Sequence, residues 1–544
     1  MGTIVPVLGR FGLRGVKAFG ATYVALALLV SCADRQQEAA VAAQQSVAAF
    51  ESGNLAEAER LARLAVQKRD SEVTYWQLLA AISMRQDRLL EAYQAYSRVI
   101  ELDASNLEAL QLVSEIGFQI GDYRRSEEMA DRILVLDPSS TRALLVKGLV
   151  ALEKGKANEA NEHAQAILKL NPRDEFGIIL VARANALQGQ FSEAVAFIDS
   201  RIPIAERTEA SLVTLIELNR RLGDFSAINQ AYAALIAKRP EDGQTILDYA
   251  QILYRGGNSA EARNRIYGAI IANPATYNLI VTATQIWADY DQTPLSPDQL
   301  KQISQTGSPL LRIETARYFI SRKDAGPVSS LLQPLLTRED AQTRLEAAAL
   351  SAHALLLSGK ARQAEAAVNE ILKDDQTNDE ARLVRSIIRQ KKGNVAGALE
   401  DAQLVVSNMP ENERARALLA SIIMQRDGKI RALQSLEEGF GAMPQSSAMA
   451  ETYTEFLVRQ GMAPRAIDVG RRFTRANPSS VKGWQMLMGL CRTGQDSRCA
   501  LQALAGLTEA QSVFTIDTRP GTPRRGGLFG NLKVDCGSKG PRCT

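Results

Sequence analysis

The chain has 544 residues, of which 46% are hydrophobic, 6% aromatic and 23% charged, and its formal net charge is +3. That length exceeds one ordinary compact core and carries a prior of roughly three or four domains, unless the chain is a repeat array. An apolar fraction of this size, rich in Ala and Leu, fits a mainly helical soluble body and excludes a disordered or many-span membrane chain. So small a charge gives no global field for nucleic acid.

At the amino terminus, Arg10, Arg14 and Lys17 precede an uncharged run from Ala18 to Ser31. A basic start followed by a short apolar segment is the form of an export signal. At about 1.5 Å per residue the run is too short to cross a hydrocarbon core about 30 Å thick, so cleavage is expected rather than a permanent span. Leu29-Val30-Ser31-Cys32 resembles the bacterial lipobox. That resemblance implies a signal peptide over residues 1–31, diacylglycerol on the Cys32 sulfur, cleavage before Cys32 and acylation of the new amino terminus. Each buried methylene adds about 0.8 kcal/mol, so several chains together hold a protein on a bilayer. The alternatives are a plain signal peptide with an incidental cysteine, or a helical start that stays in the cytosol. Ala33 rather than Asp after Cys32 points to the outer membrane, if the enterobacterial sorting rule applies. The expected location is the periplasmic face of a bacterial envelope, with the membrane contacted through the lipid at Cys32.

Beyond the signal, three columns recur every 34 residues. The first is Gly53, Asp87, Gly121, Gly155, Gly189, Gly223 and Gly257; the second is Ala58, Ala92, Ser126, Ala160, Ala194, Ile228 and Ala262. The third holds Pro138, Pro172, Pro240 and Pro274, with Ala104 and Glu206 at the same phase. Glycine closes a first helix in a left-handed conformation, alanine lies where two helices cross closely, and proline ends the second helix. The unit is helix, turn, helix, turn.

Trp76, Leu79, Ala80, Ala92 and Tyr96 within one unit, and the endings LDPSS and LNPRD of later ones, resemble the tetratricopeptide repeat. Ser83 stands where that family usually has an aromatic residue, and Asp87 where it has glycine. The columns resume in phase at Gly359, Gly393 and Gly461, at Ala364, Ala398, Ala432, Ala466 and Ala500, and at Pro410, Pro444 and Pro478. Residues 277–344, broken by Pro294, Pro297 and Pro309, read as one or two irregular hairpins. The expected layout is a repeat array over 32–276, a degenerate connector over 277–344, a second array over 345–511 and a tail over 512–544. The fold class is all-α, an α-solenoid of about 12–14 hairpins; the resemblance implies a right-handed superhelix with a concave groove.

Function in such a fold lies in the groove, where an extended peptide or a helix can lie. One row of first-helix residues reads Arg85, Gln119, Glu153, Leu187, Arg221, Arg255, and its neighbour reads Met84, Phe118, Leu152, Ala186, Arg220, Tyr254. Phe118 and Gln119 open this face, an apolar middle follows, and Arg220, Arg221, Tyr254 and Arg255 form a basic and aromatic patch. Guanidinium pairs suit a carboxylate or an acidic peptide; the alternative is an ordinary solvated helix face. The lysine and asparagine clamp with which chaperone-binding relatives hold a terminal carboxylate is not evident.

His163 and His353 each fall in a helical segment and read as buried or solvated helix residues rather than ligands. There is no phosphate-cradling P-loop, HExxH, CxxC or GxSxG, so neither enzyme, cofactor, metal nor small-molecule substrate is expected. The tail contains RPGTPRRGGLFGN, with six basic and two acidic residues from Val513 onward, and is expected to be disordered in isolation. Apart from Cys32, the cysteines are Cys491, Cys499, Cys536 and Cys543. An even number suits an oxidising compartment, and the local pairing of 491 with 499 and 536 with 543 is one of three connectivities.

These readings lead to a lipid-anchored protein-binding scaffold for an envelope machine, similar in layout to pilotin and Tad-pilus assembly lipoproteins. A scaffold for polysaccharide export or peptidoglycan synthesis, and a cytosolic adaptor or regulator, are the alternatives.

Overall fold

In a computed structural model that describes residues 35–512 apart from 292 and 479, regular structure is helical throughout, with no strand among the described residues. The chain divides into two compact units, one reaching to Ser211 and one beginning at Leu212. The first unit contains α1 (35–51), α2 (Leu55–Lys68), α3 (Val73–Arg85), α4 (Leu89–Leu102), α5 (Leu107–Gln119), α6 (Tyr123–Leu136), α7 (Thr141–Glu153), α8 (Ala157–Leu170), α9 (Glu175–Leu187) and α10 (Phe191–Asp199). Helix α11 (Glu209–Leu222) straddles the division. The second unit continues with α12 (Phe225–Lys238), α13 (Gly243–Arg255), α14 (Ser259–Ala272), α15 (Tyr277–Tyr290), α16 (Pro297–Thr306), α17 (Pro309–Ser321), α18 (Val328–Leu332) and α19 (Ala341–Leu357). It ends with α20 (Ala361–Asp374), α21 (Asp379–Lys391), α22 (Val395–Asn408), α23 (Glu413–Asp427), α24 (Lys429–Ala442), α25 (Ser447–Arg459), α26 (Ala463–Ala476), α27 (Val481–Thr493) and α28 (Ser497–Ser512).

The glycine column marks the reversal inside each hairpin. Gly121 has φ +85° and Gly359 φ +78°, a region where a Cβ is penalised. The next backbone N–H reaches back over the turn, from Asp122 to the Gly117 carbonyl at 2.8 Å and from Lys360 to Leu355 at 2.9 Å. These are the six-to-one bonds of a Schellman closure, which satisfy carbonyls the helix end would leave open. Asp87, Lys323 and Gln495 adopt the same left-handed conformation without being glycine.

The alanine column is where the two helices of a hairpin touch. Ala58, Ala160, Ala262, Ala364 and Ala466 are fully buried. The approach is close enough for Ser46 Oγ to donate to the Ala58 carbonyl at 2.6 Å and Ser386 Oγ to that of Ala398 at 2.7 Å. Tryptophan near the start of a first helix has a second task besides packing. Trp76 Nε1 donates to the Asp70 carbonyl and Trp484 Nε1 to that of Pro478, both at 2.7 Å and six residues back. At the same phase Arg382 and Arg416 donate to the Gln376 and Pro410 carbonyls. The position therefore selects a long side chain with an N–H that can tie the incoming turn to the helix.

Two departures from the period have local causes. Helix α10 is short, and Pro203 leads into a 3-10 turn, Ile204–Glu206, just before the division between units. In the 277–344 stretch the left-handed residue is Lys323, two positions ahead of residue 325 where the step from Gly257 falls; the phase is restored by Gly359. The stretch belongs wholly to the second unit, with Trp287, Ile303, Leu311, Leu331 and Leu335 in one core with Leu247, Ile266 and Leu350. The division at 211/212 falls within residues 32–276.

Within each unit, first helices of neighbouring hairpins touch one another directly. Helix α5 meets α7 and α7 meets α9 in the first unit; α17 meets α19 and α19 meets α21 in the second. Apart from α16 and α18 in the irregular stretch, second helices do not approach each other to the same degree. A row whose members are closer together is the inner side of a curve, so first helices supply the inner face.

Candidate partner-binding face

Phe118 and Gln119 end α5 in the first unit, where the Phe118 ring lies 5.6 Å from that of Tyr123 at a 47° tilt. On the same face Arg142 of α7 grips Glu115 of α5 in a two-pronged pair, Nε and Nη2 each 2.7 Å from a carboxylate oxygen. Arg183 of α9 is buried at 2% exposure, and burial pushes its guanidinium down to about 10.

Arg220, Arg221, Tyr254 and Arg255 all fall in the second unit. Arg220 and Arg221 converge on Glu217, one turn earlier in α11, at 3.2 and 3.4 Å. The sequence rows did not include that carboxylate, which neutralises part of the basic patch. Tyr254 is buried and donates to Asp291 Oδ2 at 2.9 Å; burial and then this bond push its phenol well above the usual range. Tyr290 stacks on Tyr254 with ring centroids 5.5 Å apart and planes 8° from parallel. Arg255 Nε donates to the Tyr290 hydroxyl at 3.1 Å, and Arg255 Nη1 to the Ala510 carbonyl of α28 at 3.5 Å. Asp291 also accepts from Arg263 at 2.5 and 3.1 Å. Tyr254 thus anchors the patch from beneath, and Arg255 is the guanidinium it holds in place.

A charged ladder further along the inner face escaped the sequence reading. His353 of α19 is buried, and its Nδ1 lies 2.5 Å from Glu380 Oε1 of α21. Arg414 of α23 reaches Glu380 Oε2 at 2.9 Å, Arg317 of α17 lies 3.6 Å from it, and Arg317 also pairs with Glu346 at 2.5 Å. Burial pushes the Glu380 carboxyl up, but Arg414, His353 and Arg317 outweigh it and hold it well below the usual carboxylate range. His353 and Glu380 are 27 residues apart, as are Glu115 and Arg142. That offset between charged first-helix residues is the signal by which the ladder is found in sequence. His163 is half-buried on α8, and burial lowers its pKa.

Cys491 and Cys499 form a disulfide between α27 and α28, with Cα atoms 5.5 Å apart. Cys32, Cys536, Cys543, the signal segment and the tail from 513 lie outside the described residues. Among the described residues no group of three or more His, Cys, Asp and Glu side chains gathers to hold a metal ion, and no helix is long and apolar enough to cross a membrane.

Stacked helical hairpins with a polar and aromatic inner row define an α-solenoid of the protein-binding class. Residues 118–175 match the family model of the tetratricopeptide repeat. That match spans helices α6, α7 and α8. Residues 333–511 match a second family model, ChAPs (Chs5p-Arf1p-binding proteins). No curated protein matches the chain. Among solved structures, Pseudomonas aeruginosa PilF is 19% identical, over 38% of this chain and 94% of that one, with a TM-score of 0.29. PilW, a type IV pilus biogenesis factor, is 18% identical over 37% and 94%, with a TM-score of 0.31. The Naa15/Naa10 complex bound to HypK-THB is 14% identical over 87% and 79%, with a TM-score of 0.27.

Proposed function

We propose that the chain is a non-catalytic scaffold that holds other proteins on its first-helix face. The observation that carries this reading is the first-helix row of the second unit: adjacent helices α11 and α13 present Arg220, Arg221 and Arg255, fixed in place by Glu217 and the Tyr290 hydroxyl. A rigid face loses little conformational freedom on binding. The basic end suits acidic segments. The lipobox-like Leu29-Val30-Ser31-Cys32 supports placing the scaffold on the periplasmic side of a bacterial envelope, held by lipid on Cys32. Assembly of a type IV or Tad pilus, or of a secretion apparatus, is the task this placement favours; polysaccharide export or peptidoglycan synthesis would use the same device. One observation favours a second reading, a cytosolic adaptor: residues 333–511 match a family named for binding Chs5p and Arf1p.

The test is in-cell crosslinking and affinity capture with wild type and Cys32→Ser in parallel, together with metabolic labelling by a fatty-acid analogue. Envelope-machine subunits captured only when Cys32 is present and acylated support the anchored scaffold. Label on Cys32→Ser, or equal capture of cytosolic proteins by both forms, rejects it in favour of the adaptor.

A further inference from the structure

Helix α28 ends at Ser512, so the Ala510 carbonyl belongs to the last turn, where carbonyls have no partner within the helix. Such carbonyls carry the negative end of the helix dipole, and the last turn of α28 has no basic residue of its own. The cation that meets it comes from far away in sequence: Arg255 Nη1 donates to the Ala510 carbonyl at 3.5 Å, across 255 residues.

Arg255 does not reach this point by chance of rotamer. Its Nε is fixed on the Tyr290 hydroxyl, Tyr290 is stacked on Tyr254, and Tyr254 is fastened to Asp291, which Arg263 holds with two hydrogen bonds. The guanidinium is therefore aimed before anything docks on it. At its other end α28 is stapled to α27 by the Cys491–Cys499 disulfide, and Cys499, Ala503 and Leu507 are buried along its length. The terminal turn is the part of α28 that lies beyond the staple.

We propose that the Arg255 patch is a receptor for the carbonyl end of an α-helix, and that the end of α28 is its intramolecular occupant, an autoinhibitory strap that a partner helix must displace. This rests on the scaffold reading for its purpose, but the contact itself can be tested without any partner. A partner helix competes when its last turn ends in open carbonyls or a carboxylate and lacks Lys or Arg, because a cation there would meet Arg255 with like charge.

Two measurements on the full chain decide the matter. In the first, phenylglyoxal modification of arginines is mapped by peptide mass spectrometry in wild type and Ala510→Pro. Proline at 510 removes the hydrogen bond to residue 506 and displaces the last turn. Arg255 should react several-fold faster in the variant while exposed Arg221 is unchanged. In the second, Arg255→Ala should speed hydrogen exchange in residues 507–512 by about two- to fivefold, the range for loss of a cation at a helix carboxyl end. Unchanged Arg255 reactivity in Ala510→Pro, with the change in helicity confined to α28, overturns the strap; so does unchanged exchange in Arg255→Ala. If both readouts move as expected but neither form captures a protein, the strap stands and the scaffold reading fails.

Discussion

Glu380→Gln removes one charge from the ladder while keeping the side-chain shape. In the wild type the carboxylate is 7% exposed and faces Arg414 at 2.9 Å, Arg317 at 3.6 Å and the His353 ring at 2.5 Å. Breaking a buried pair by deleting one partner costs about 3–5 kcal/mol when the other is left stranded. Here the stranded guanidiniums are roughly a third exposed, at 32% and 29%, and water recovers part of their loss. The expected cost is about 2–3 kcal/mol at pH 7. Because the folded carboxyl lies below its ordinary value of 4.5, its contribution is complete above that value and declines as pH falls through and below it. The difference between wild type and Glu380→Gln should therefore be constant from about pH 6 to 8 and narrow steadily below about pH 4.5. Hydrogen exchange resolved to residues 379–391 is the suitable assay, since a repeat array need not unfold as one unit. A cost under about 0.5 kcal/mol, or one that is the same at pH 3 and pH 7, would refute the view that Glu380 ties four first helices together as an ion.

A glycine pair gives an opposite-sign test. Gly148→Ala places a Cβ 2.3 Å from Leu180 Cδ2 and should cost about 1–3 kcal/mol by overpacking, whereas Gly268→Ala meets nothing within 4 Å in an exposed part of α14 and should gain about 0.5–1 kcal/mol; thermal melts of both variants read the signs. Trp484→Phe keeps an aromatic ring but loses the bond to the Pro478 carbonyl, and should cost about 1 kcal/mol locally, read by exchange in residues 481–493. Reducing the Cys491–Cys499 bridge, with a separation of 8 residues, should destabilise the α27–α28 hairpin by about 2–3 kcal/mol on the chain-entropy estimate, without changing exchange in α3 or α5.

The hairpin architecture was legible in the sequence because each column answers a strong local demand. Gly121 must be left-handed, Ala58 must be thin, and Trp76 must fill a gap and donate a hydrogen bond. Substitutes that meet the same demand by other chemistry were not legible: Gln495 accepts the left-handed conformation, and Arg416 ties down the preceding turn in place of tryptophan. The first-helix rows were legible as rows but not in electrostatics. The rows were read one residue per turn, so Glu217, a turn away, was missed although it engages both Arg220 and Arg221. Tyr254 was read as a groove side chain, yet its hydroxyl serves Asp291, which stands one step past Gly257 at the glycine phase of the irregular stretch and gives no sign there of such a role. The contact between Arg255 and Ala510 depends on how many hairpins accumulate between them, which no local pattern records.

The most direct measurement of whether the first-helix face is the binding face uses photo-crosslinking amino acids placed singly at Gln119, Arg221 and Gln425 on first helices and at Gln403 and Arg471 on second helices. Crosslinks to captured proteins should come from the first-helix sites and weaken when Arg220 and Arg255 are both changed to Glu. Crosslinks mainly from Gln403 and Arg471, unaffected by that charge reversal, would place recognition on the outer helices and contradict a scaffold that works through its inner face.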